Sequence, residues 1–144
     1  MARSPEQQLA DLLDREAIRD LPVRYCHYVW TNDVDAMMSL FTEDGLLSTA
    51  SDAEDAVREI RGAQALRDFY VGLDRVKPRP YIHNHVVELL GEARARGACY
   101  VELRLATRQM APLGTGYYDD DYVKQGGTWK FAARRYRAIR GTEG

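Results

Sequence analysis

The spacing of apolar residues changes once along the chain, from a helical period to strict alternation. Between Leu9 and Val29 the apolar residues recur at the spacing of one helix face. The segment Ser4-Pro5-Glu6-Gln7 provides a cap, a proline suited to the first turn and a glutamine that completes a capping box. Pro22 lies inside this pattern and lacks a backbone donor, so we expect a kink or a break near Ile18.

The pattern predicts the remaining elements in order. Two more helices are expected over residues 34–41 and 62–73. The acidic segment 50–59 is expected to be a solvated loop that could form a lid, with Asp52, Glu54 and Asp55 in it. Helices that precede strands favour an α+β fold in which helices cover one face of a mostly antiparallel sheet. After a turn at 43–45, strands are expected over 45–49, 81–90, 98–110 and, as a final hairpin, 116–139.

The final hairpin carries the clearest signal. A Gly126-Gly127 pair separates two alternating runs, and such a pair supplies the positive φ that a tight turn needs. Charged residues stand among its aromatic residues, which suits a lined cavity better than a solid core. The residues that share one face of each strand are Tyr118, Asp120 and Tyr122 on the first, and Trp129, Phe131 and Ala133 on the second.

Composition narrows the possible functions. The chain has 144 residues, which predicts one domain over 1–144, and its net charge of −2 gives no footprint for nucleic acid. Cys26 and Cys99 are too far apart for a zinc motif or a disulfide framework, so we expect a cytoplasmic protein with small buried cysteines. No signal peptide or membrane-spanning segment is expected. The arginines at one strand end are expected to be solvated: Arg134, Arg135, Arg137 and Arg140.

The order of elements and several short strings resemble the SnoaL-like branch of the nuclear-transport-factor-two-like superfamily. The resemblance implies a cone-shaped, curved antiparallel sheet closed by about three N-terminal helices around an internal pocket. Members include dehydratases, isomerases, dehydrochlorinases, polyketide cyclases and epoxide hydrolases, and most need no cofactor; others are ligand binders or accessory subunits. The strings that carry it lie at 14–21, 24–25, 32–35, 40–45, 61–62, 84–88, 118–122, 129–131 and 134–135.

The acid–base pair of the dehydratase-like members does not carry over cleanly. The resemblance implies a Tyr in the first helix, an Asp about five residues later and a His on the third strand. The Tyr matches Tyr25, but the Asp falls on Trp30, whose indole N–H can donate but cannot accept a proton. The strand His falls on Pro80, Ile82 or His83, depending on strand bulges.

Two histidines on the predicted third strand are the best candidates for proton transfer. His83 and His85 are two positions apart, so regular alternation places both on one face. Histidine can exchange a proton near neutral pH, which makes either residue a candidate general base. The alternative is one buried structural histidine and one surface histidine. No metal-ligand spacing accompanies them, so no metal site is expected.

Aromatic residues at the end of the first helix are candidates for substrate binding. Tyr25, Tyr28 and Trp30 form this group, and the resemblance places Tyr25 and Trp30 near the pocket mouth. Their polar tips could donate hydrogen bonds to a substrate oxygen. His27 lies among them and is expected to be a surface or helix-packing residue.

Asp120 and one of two adjacent arginines complete the candidate site. Asp120 among aromatic residues could have a raised pKa and act as acid or base, or it could form a structural pair with Arg104, Arg134 or Arg135. Regular alternation places Arg135 in the cavity, where it would bind a substrate carboxylate or stabilise an enolate, and directs Arg134 away. A bulge of one residue would exchange the two arginines. Tyr118 is a further candidate for substrate binding.

Two functions remain open. The first is a cofactor-independent enzyme that dehydrates, isomerises or cyclises a small, apolar, oxygenated molecule such as a polyketide, steroid-like or terpenoid compound. His83 would be the general base, or His85 if the register differs. The second is a non-catalytic binder or an accessory subunit of an oxygenase, which the Trp30 replacement favours. A homodimer or homotrimer is expected in either case.

Overall fold

The computed structural model describes residues 2–51 and 54–139; Asp52 and Arg140, expected in a solvated loop and at a basic strand end, lie outside them. None of the helices in these residues combines the length and apolarity that crossing a membrane requires. The helices are α1 (Pro5–Thr31), α2 (Val34–Ser39) and α3 (Ala63–Gly72), and the strands are β1 (Phe41–Ser51), β2 (Glu54–Arg61), β3 (Pro78–Leu89), β4 (Arg94–Leu105), β5 (Ala111–Gln125) and β6 (Thr128–Ile139).

The six strands form one curved sheet in the order β2-β1-β6-β5-β4-β3, which is not closed into a barrel. All neighbouring strands are antiparallel except β1 and β6, which are parallel. This confirms the predicted mixed α+β class. The strand predicted over 45–49, between the second and third helices, lies within β1, and β2 is an additional strand that was not predicted.

Helix α1 begins as its sequence predicts. The Ser4 side chain accepts a hydrogen bond from the Gln7 backbone N–H at 3.2 Å, and the Gln7 side chain accepts one from the Ser4 backbone N–H at 2.9 Å. The helix continues through Pro22, so of the two predicted alternatives, a kink or a break, the break is wrong. Residues on one face of its second half are buried in the core, among them Ile18, Tyr25 and Val29.

The described residues of the segment expected to be an acidic loop belong to strands: 50–51 end β1 and 54–59 lie in β2. Thr49 pairs with Arg58, and the β1–β2 ladder extends to Leu46 and Arg61. The predicted turn at 43–45 lies inside β1, where the pairing with β6 shifts register between Phe41 and Leu46. Backbone pairing with a neighbouring strand has therefore decided the structure of this polar segment, whose side chains alone give a weak strand signal.

The β5–β6 hairpin confirms the clearest prediction. Gly126 and Gly127 adopt φ values of 56° and 80° in the turn. Five of the residues that were expected to share the inner faces are buried as predicted: Tyr118, Asp120, Tyr122, Trp129 and Phe131. Ala133 is buried too, but it pairs with Asp121 beyond a shift of register, so its predicted place on the face of Phe131 is wrong.

Candidate functional site

A bulge in β3 separates the two histidines that were expected on one face. His83 pairs with Tyr100 and Val86 with Ala98, so Asn84 and His85 together oppose a single residue of β4. Asn84 has a left-handed backbone with φ of 55°, a conformation that asparagine tolerates better than most residues. The shared-face prediction is therefore wrong, since the extra residue reverses the alternation after His83.

His83 lies on the outer face of the sheet. Its side chain is 50% exposed, and its Nε2 lies 3.1 Å from Glu102 Oε1. The predicted placement of His83 beside the pocket as general base is wrong for the same reason as its pairing with His85. No group of three or more potential metal ligands is assembled in the part of the chain that the structure describes.

His85 points inward and joins a hydrogen-bonded chain with Tyr122 and Asp120. The His85 Nε2 atom lies 3.1 Å from the Tyr122 hydroxyl, which donates to Asp120 Oδ2 at 3.0 Å. Burial, and then the positive charges of Arg134 and Arg19, lower the pKa of His85 to about 4. His85 is therefore neutral at pH 7. We call His85, Tyr122 and Asp120 the buried relay.

Asp120 ends the buried relay as the partner of Arg134. Arg134 Nε lies 3.2 Å from Asp120 Oδ1, and both side chains are fully buried. The angle is poor for a hydrogen bond, since neither of these two atoms has a hydrogen-bond partner in the described residues. Burial raises the pKa of Asp120 to about 6, against the opposing effects of Arg134 and of the Tyr122 hydroxyl. The structural-pair interpretation of Asp120 thus holds, with Arg134 and not Arg104 or Arg135.

A bulge in β6 exchanges the two arginines. Asp121 pairs with Ala133 while Tyr122 pairs with Phe131, so Ala132 is an extra residue on β6. Arg134 consequently points inward. The expectation that Arg135 reaches the cavity is wrong: Arg135 donates to Asp121 Oδ2 at 2.8 Å, and its side chain is 43% exposed.

Aromatic rings enclose the Arg134 guanidinium. Its central carbon lies 3.5 Å from the ring centroid of Tyr118, 4.2 Å from that of Tyr25 and 4.7 Å from that of Phe131. Such contacts stabilise a desolvated cation. Arg134 also donates to the Cys99 sulfur at 3.6 Å.

A cavity of about 200 Å³, here called the inner pocket, lies between the sheet and the helices. The predicted substrate-binding residues Tyr25 and Tyr118 line it, and Arg134 lies behind their rings. Neither His85 nor Asp120 lines it. Its described lining residues include no histidine, cysteine, carboxylate or basic side chain: Tyr25, Val29, Leu47, Thr49, Phe69, Leu73, Val76, Pro78, Pro80, Leu103, Leu113, Tyr118 and Tyr136.

The polar groups of the inner pocket are hydroxyls. Burial raises the pKa of Tyr25, Tyr118 and Tyr136, so all three are neutral donors at pH 7. The Tyr25 hydroxyl lies 2.9 Å from that of Tyr70, a buried contact. Tyr136 was missed as a lining residue because regular alternation places it on the outer face. Arg134 and Tyr136 are two positions apart, so they share a face, and regular alternation puts that face opposite to Trp129 and Phe131. An arginine and a tyrosine together on the supposed outer face were the one indication in the sequence that β6 changes face.

Trp30 lies outside the inner pocket. It lines a second cavity of about 480 Å³, the outer groove, which runs between α1 and the edge strand β3. Its indole N–H donates to the carbonyl oxygen of Pro80 at 2.9 Å. Tyr28 packs toward α2 and also lies outside the inner pocket. The residues that line the outer groove are Val23, Cys26, His27, Trp30, Thr31, Pro80, Tyr81 and Ile82.

The position that the resemblance assigns to the dehydratase Asp is thus occupied by a group that cannot accept a proton. Trp30 stands where the resemblance implies the Asp, and it contacts Pro80, one of the positions considered for the strand His. An indole donor on a backbone carbonyl fixes local structure but offers no base.

Known proteins share this sequence pattern and this fold. A family profile described as a SnoaL-like domain matches residues 10–135. A variant of Rv3472, a protein of unknown function from Mycobacterium tuberculosis, is 31% identical over 99% of this chain and 80% of that chain, with a TM-score of 0.80. No curated protein sequence matches this chain.

Two further solved structures have lower sequence identity to this chain, and their similarity shows a common fold and nothing more. A candidate scytalone dehydratase from Novosphingobium aromaticivorans is 21% identical, with a TM-score of 0.76 over 94% of this chain and 90% of that chain. The beta subunit of a candidate aromatic-ring-hydroxylating dioxygenase from the same organism is 16% identical, with a TM-score of 0.77 over 93% of this chain and 94% of that chain. This fold therefore occurs among proteins described as enzymes and as subunits.

Proposed function

This chain belongs to the SnoaL-like domain family, and on that premise we propose that it binds a small, apolar, oxygenated molecule in the inner pocket without transforming it. One observation carries the proposal: the described lining residues hold no group that exchanges protons near neutral pH. Proton abstraction needs a base within hydrogen-bond reach of the reacting atom. The candidate acid and base of the buried relay, Asp120 and His85, lie outside the lining.

The size of the inner pocket selects the ligand class. Its volume of about 200 Å³ is close to the roughly 150 Å³ of an apolar cavity that holds benzene. A single-ring compound fits such a space, whereas a four-ring steroid or a polycyclic polyketide does not. Monocyclic terpenoids and substituted phenols or cyclohexanones are therefore the proposed ligands.

The hydroxyl groups select the polar part of the ligand. Besides Tyr25, whose hydroxyl contacts that of Tyr70, three lining residues carry a hydroxyl that can donate a hydrogen bond: Thr49, Tyr118 and Tyr136. A ligand carbonyl or hydroxyl oxygen would accept from them, while its ring packs on Leu47, Leu103 and other apolar residues. A few polar groups in an apolar pocket are typical of small-molecule sites.

A binding screen with a blocked variant tests the proposal. Phenol, 4-methylphenol and cyclohexanone are titrated by calorimetry and by NMR, and the solutions are then analysed for products. Leu113 lines the pocket and is 56% exposed, so Leu113→Trp should narrow the entrance without disturbing the core. Leu90→Trp, at a leucine that is 48% exposed and outside the pocket lining, is the matched control.

We expect wild type and Leu90→Trp to bind at least one of these compounds without product, and Leu113→Trp to bind it about tenfold more weakly or worse. Equal affinity in the two variants would place the ligand elsewhere. Failure of every monocyclic compound to bind would overturn the proposal.

Proton-transfer catalysis is the second candidate, and the buried relay favours it. The relay ends at Asp120, which pairs with Arg134 behind the rings of Tyr25 and Tyr118. In this alternative the ligand would extend beyond the inner pocket to His85, whose unprotonated Nδ1 would accept the proton that leaves the ligand, while a tyrosine hydroxyl donates to the ligand oxygen. Turnover of cyclic hydroxy ketones that disappears in His85→Gln, with ligand affinity unchanged, would favour the enzyme over the binder.

We also propose that the chain forms a homodimer or homotrimer. Tyr81, Val86 and Tyr100 are exposed apolar residues on β3 and β4, at 40%, 62% and 51%. Light scattering after size exclusion gives the copy number. Co-purification with an iron–sulfur subunit would instead support the accessory-subunit alternative.

Cys26 and Cys99 are both free, which supports the proposal of a reducing, cytoplasmic setting.

A further inference from the structure

We propose that Trp30 sets the upper size limit of the ligand, because its indole forms the partition between the inner pocket and the outer groove. This inference rests on the proposed function of the inner pocket. It gives the residue in place of the family's Asp a role in ligand selection. Three features of the structure support it.

The first feature is how the two cavities meet. Pro80 is the one lining residue that the inner pocket and the outer groove share among the described residues. Val29 lines the inner pocket, and the next residue, Trp30, lines the groove. The boundary between the cavities therefore runs between α1 and β3 at Trp30 and Pro80.

The second feature is that the indole is held in place from several directions. Its N–H donates to the Pro80 carbonyl oxygen at 2.9 Å. The Tyr81 ring meets it edge to face, with centroids 5.4 Å apart, and the Arg79 guanidinium carbon lies 5.6 Å from its centroid. Carbonyls at the outer edge of an edge strand lack a strand partner, so the indole N–H also satisfies an edge acceptor.

The third feature is a cleft of about 120 Å³ beside Trp30. The cleft shares Val29 and Leu73 with the inner pocket, and it shares Trp30 and Thr31 with the outer groove. The indole thus borders the groove and the cleft, and the cleft adjoins the inner pocket at Val29 and Leu73. Removal of the indole would join the groove to the cleft, and a ligand larger than one ring could then extend from the inner pocket past Pro80 into the space that the indole vacates.

The test measures the size limit in matched variants. Phenol, 2-naphthol and a three-ring hydroxyanthracene are titrated against wild type, Trp30→Ala, Trp30→Phe and Val23→Ala. Val23 lines the groove but lies outside the inner pocket and the cleft, so Val23→Ala enlarges the groove and leaves the partition intact. Trp30→Phe keeps a six-membered ring in the partition but loses the fused pyrrole ring and with it the N–H bond to Pro80.

We expect wild type, Val23→Ala and Trp30→Phe to bind phenol and to discriminate against 2-naphthol. Trp30→Ala should bind 2-naphthol at least about tenfold more tightly than wild type does. The same size limit in folded Trp30→Ala, or the same gain in Val23→Ala, would overturn the inference. If Trp30→Ala does not fold, Trp30→Leu takes its place with the same expectation.

The inference and the proposed function can fail separately. If wild type binds no monocyclic compound, the proposed function fails. A crystal structure of Trp30→Ala then tests, without any ligand, whether the indole separates the inner pocket from the outer groove. One continuous cavity from the groove to the inner pocket would support the partition, and two separate cavities would overturn it.

Discussion

His85 and Tyr122 are 37 positions apart in the sequence, and their side chains meet with His85 Nε2 3.1 Å from the Tyr122 hydroxyl. The tyrosine has one hydroxyl proton, and it donates that proton to Asp120 at 3.0 Å. The tyrosine oxygen must therefore accept from His85, which requires a proton on Nε2. The contact thus fixes the tautomer of a neutral histidine.

This tautomer can be observed directly. We expect nitrogen-15 NMR at pH 7 to show His85 neutral with the proton on Nε2, because burial and then Arg134 lower its pKa to about 4. Tyr122→Phe removes the acceptor and should release the preference for that tautomer. A protonated imidazole at pH 7, or a proton on Nδ1 in wild type, would contradict the chain of hydrogen bonds.

The two ends of the buried relay should affect stability in opposite directions as the pH falls. The pKa of His85 is lowered from 6.5 to about 4, so the unfolded chain binds a proton that the folded chain does not, and stability is lost as the pH falls between these values. The pKa of Asp120 is raised from 3.8 to about 6, so the folded chain binds the extra proton and stability is gained over an overlapping range.

Removal of one end should therefore expose the effect of the other. Relative to wild type, His85→Gln should gain free energy of unfolding as the pH falls from 6 to 4, and Asp120→Asn should lose it. Urea unfolding at several pH values measures both slopes. His83→Gln, on the outer face, controls for the loss of a histidine. If the free energy of unfolding varied with pH in the same way in His85→Gln and in wild type, His85 would not contribute the loss of stability expected on acidification.

Adjacent arginines should differ greatly in their contribution to stability. Arg134→Met leaves Asp120 buried without its partner, and loss of one member of a buried pair costs about 3–5 kcal/mol. Arg135→Met breaks an exposed pair with Asp121, which is worth about 0–1 kcal/mol. Chemical denaturation of the two variants measures the difference. Equal losses, or a larger loss for Arg135→Met, would mean that β6 has no bulge at Ala132.

Much of the fold could be predicted because it depends on local signals. The Ser4–Gln7 capping box and the Gly126-Gly127 turn involve neighbours in sequence, and the structure confirms both. The 50–59 segment could not be predicted in the same way. Its strand structure comes from pairing with β1 and not from a periodic apolar pattern.

In the candidate site, the types of the functional residues could be predicted from the sequence, but the strand register that decides which way they point could not. Tyr25, Tyr118, Asp120 and His85 were identified from their chemistry, and all four point into the interior. The faces of His83 and Arg135 were predicted wrongly, because alternation holds only while a strand stays regular. Bulges at Asn84 and Ala132 reverse it, and each depends on contacts with a partner strand.

The last prediction concerns the close approach of β3 and β4 beside the buried relay. A Cβ atom at Gly97 would lie 2.6 Å from the Val86 carbonyl oxygen and 3.2 Å from the Tyr122 hydroxyl. Gly97→Ala must therefore shift the backbone near the β3 bulge, and we expect it to cost about 1–3 kcal/mol, as overpacking does. The displacement should also weaken the His85–Tyr122 hydrogen bond, so the NMR preference for the Nε2 tautomer should fall. Gly114→Ala, where a Cβ meets nothing within 4 Å, is the matched control and should change neither quantity. Wild-type stability and an unchanged tautomer in Gly97→Ala would show that the two strands can separate there, and that Tyr122 does not depend on their spacing.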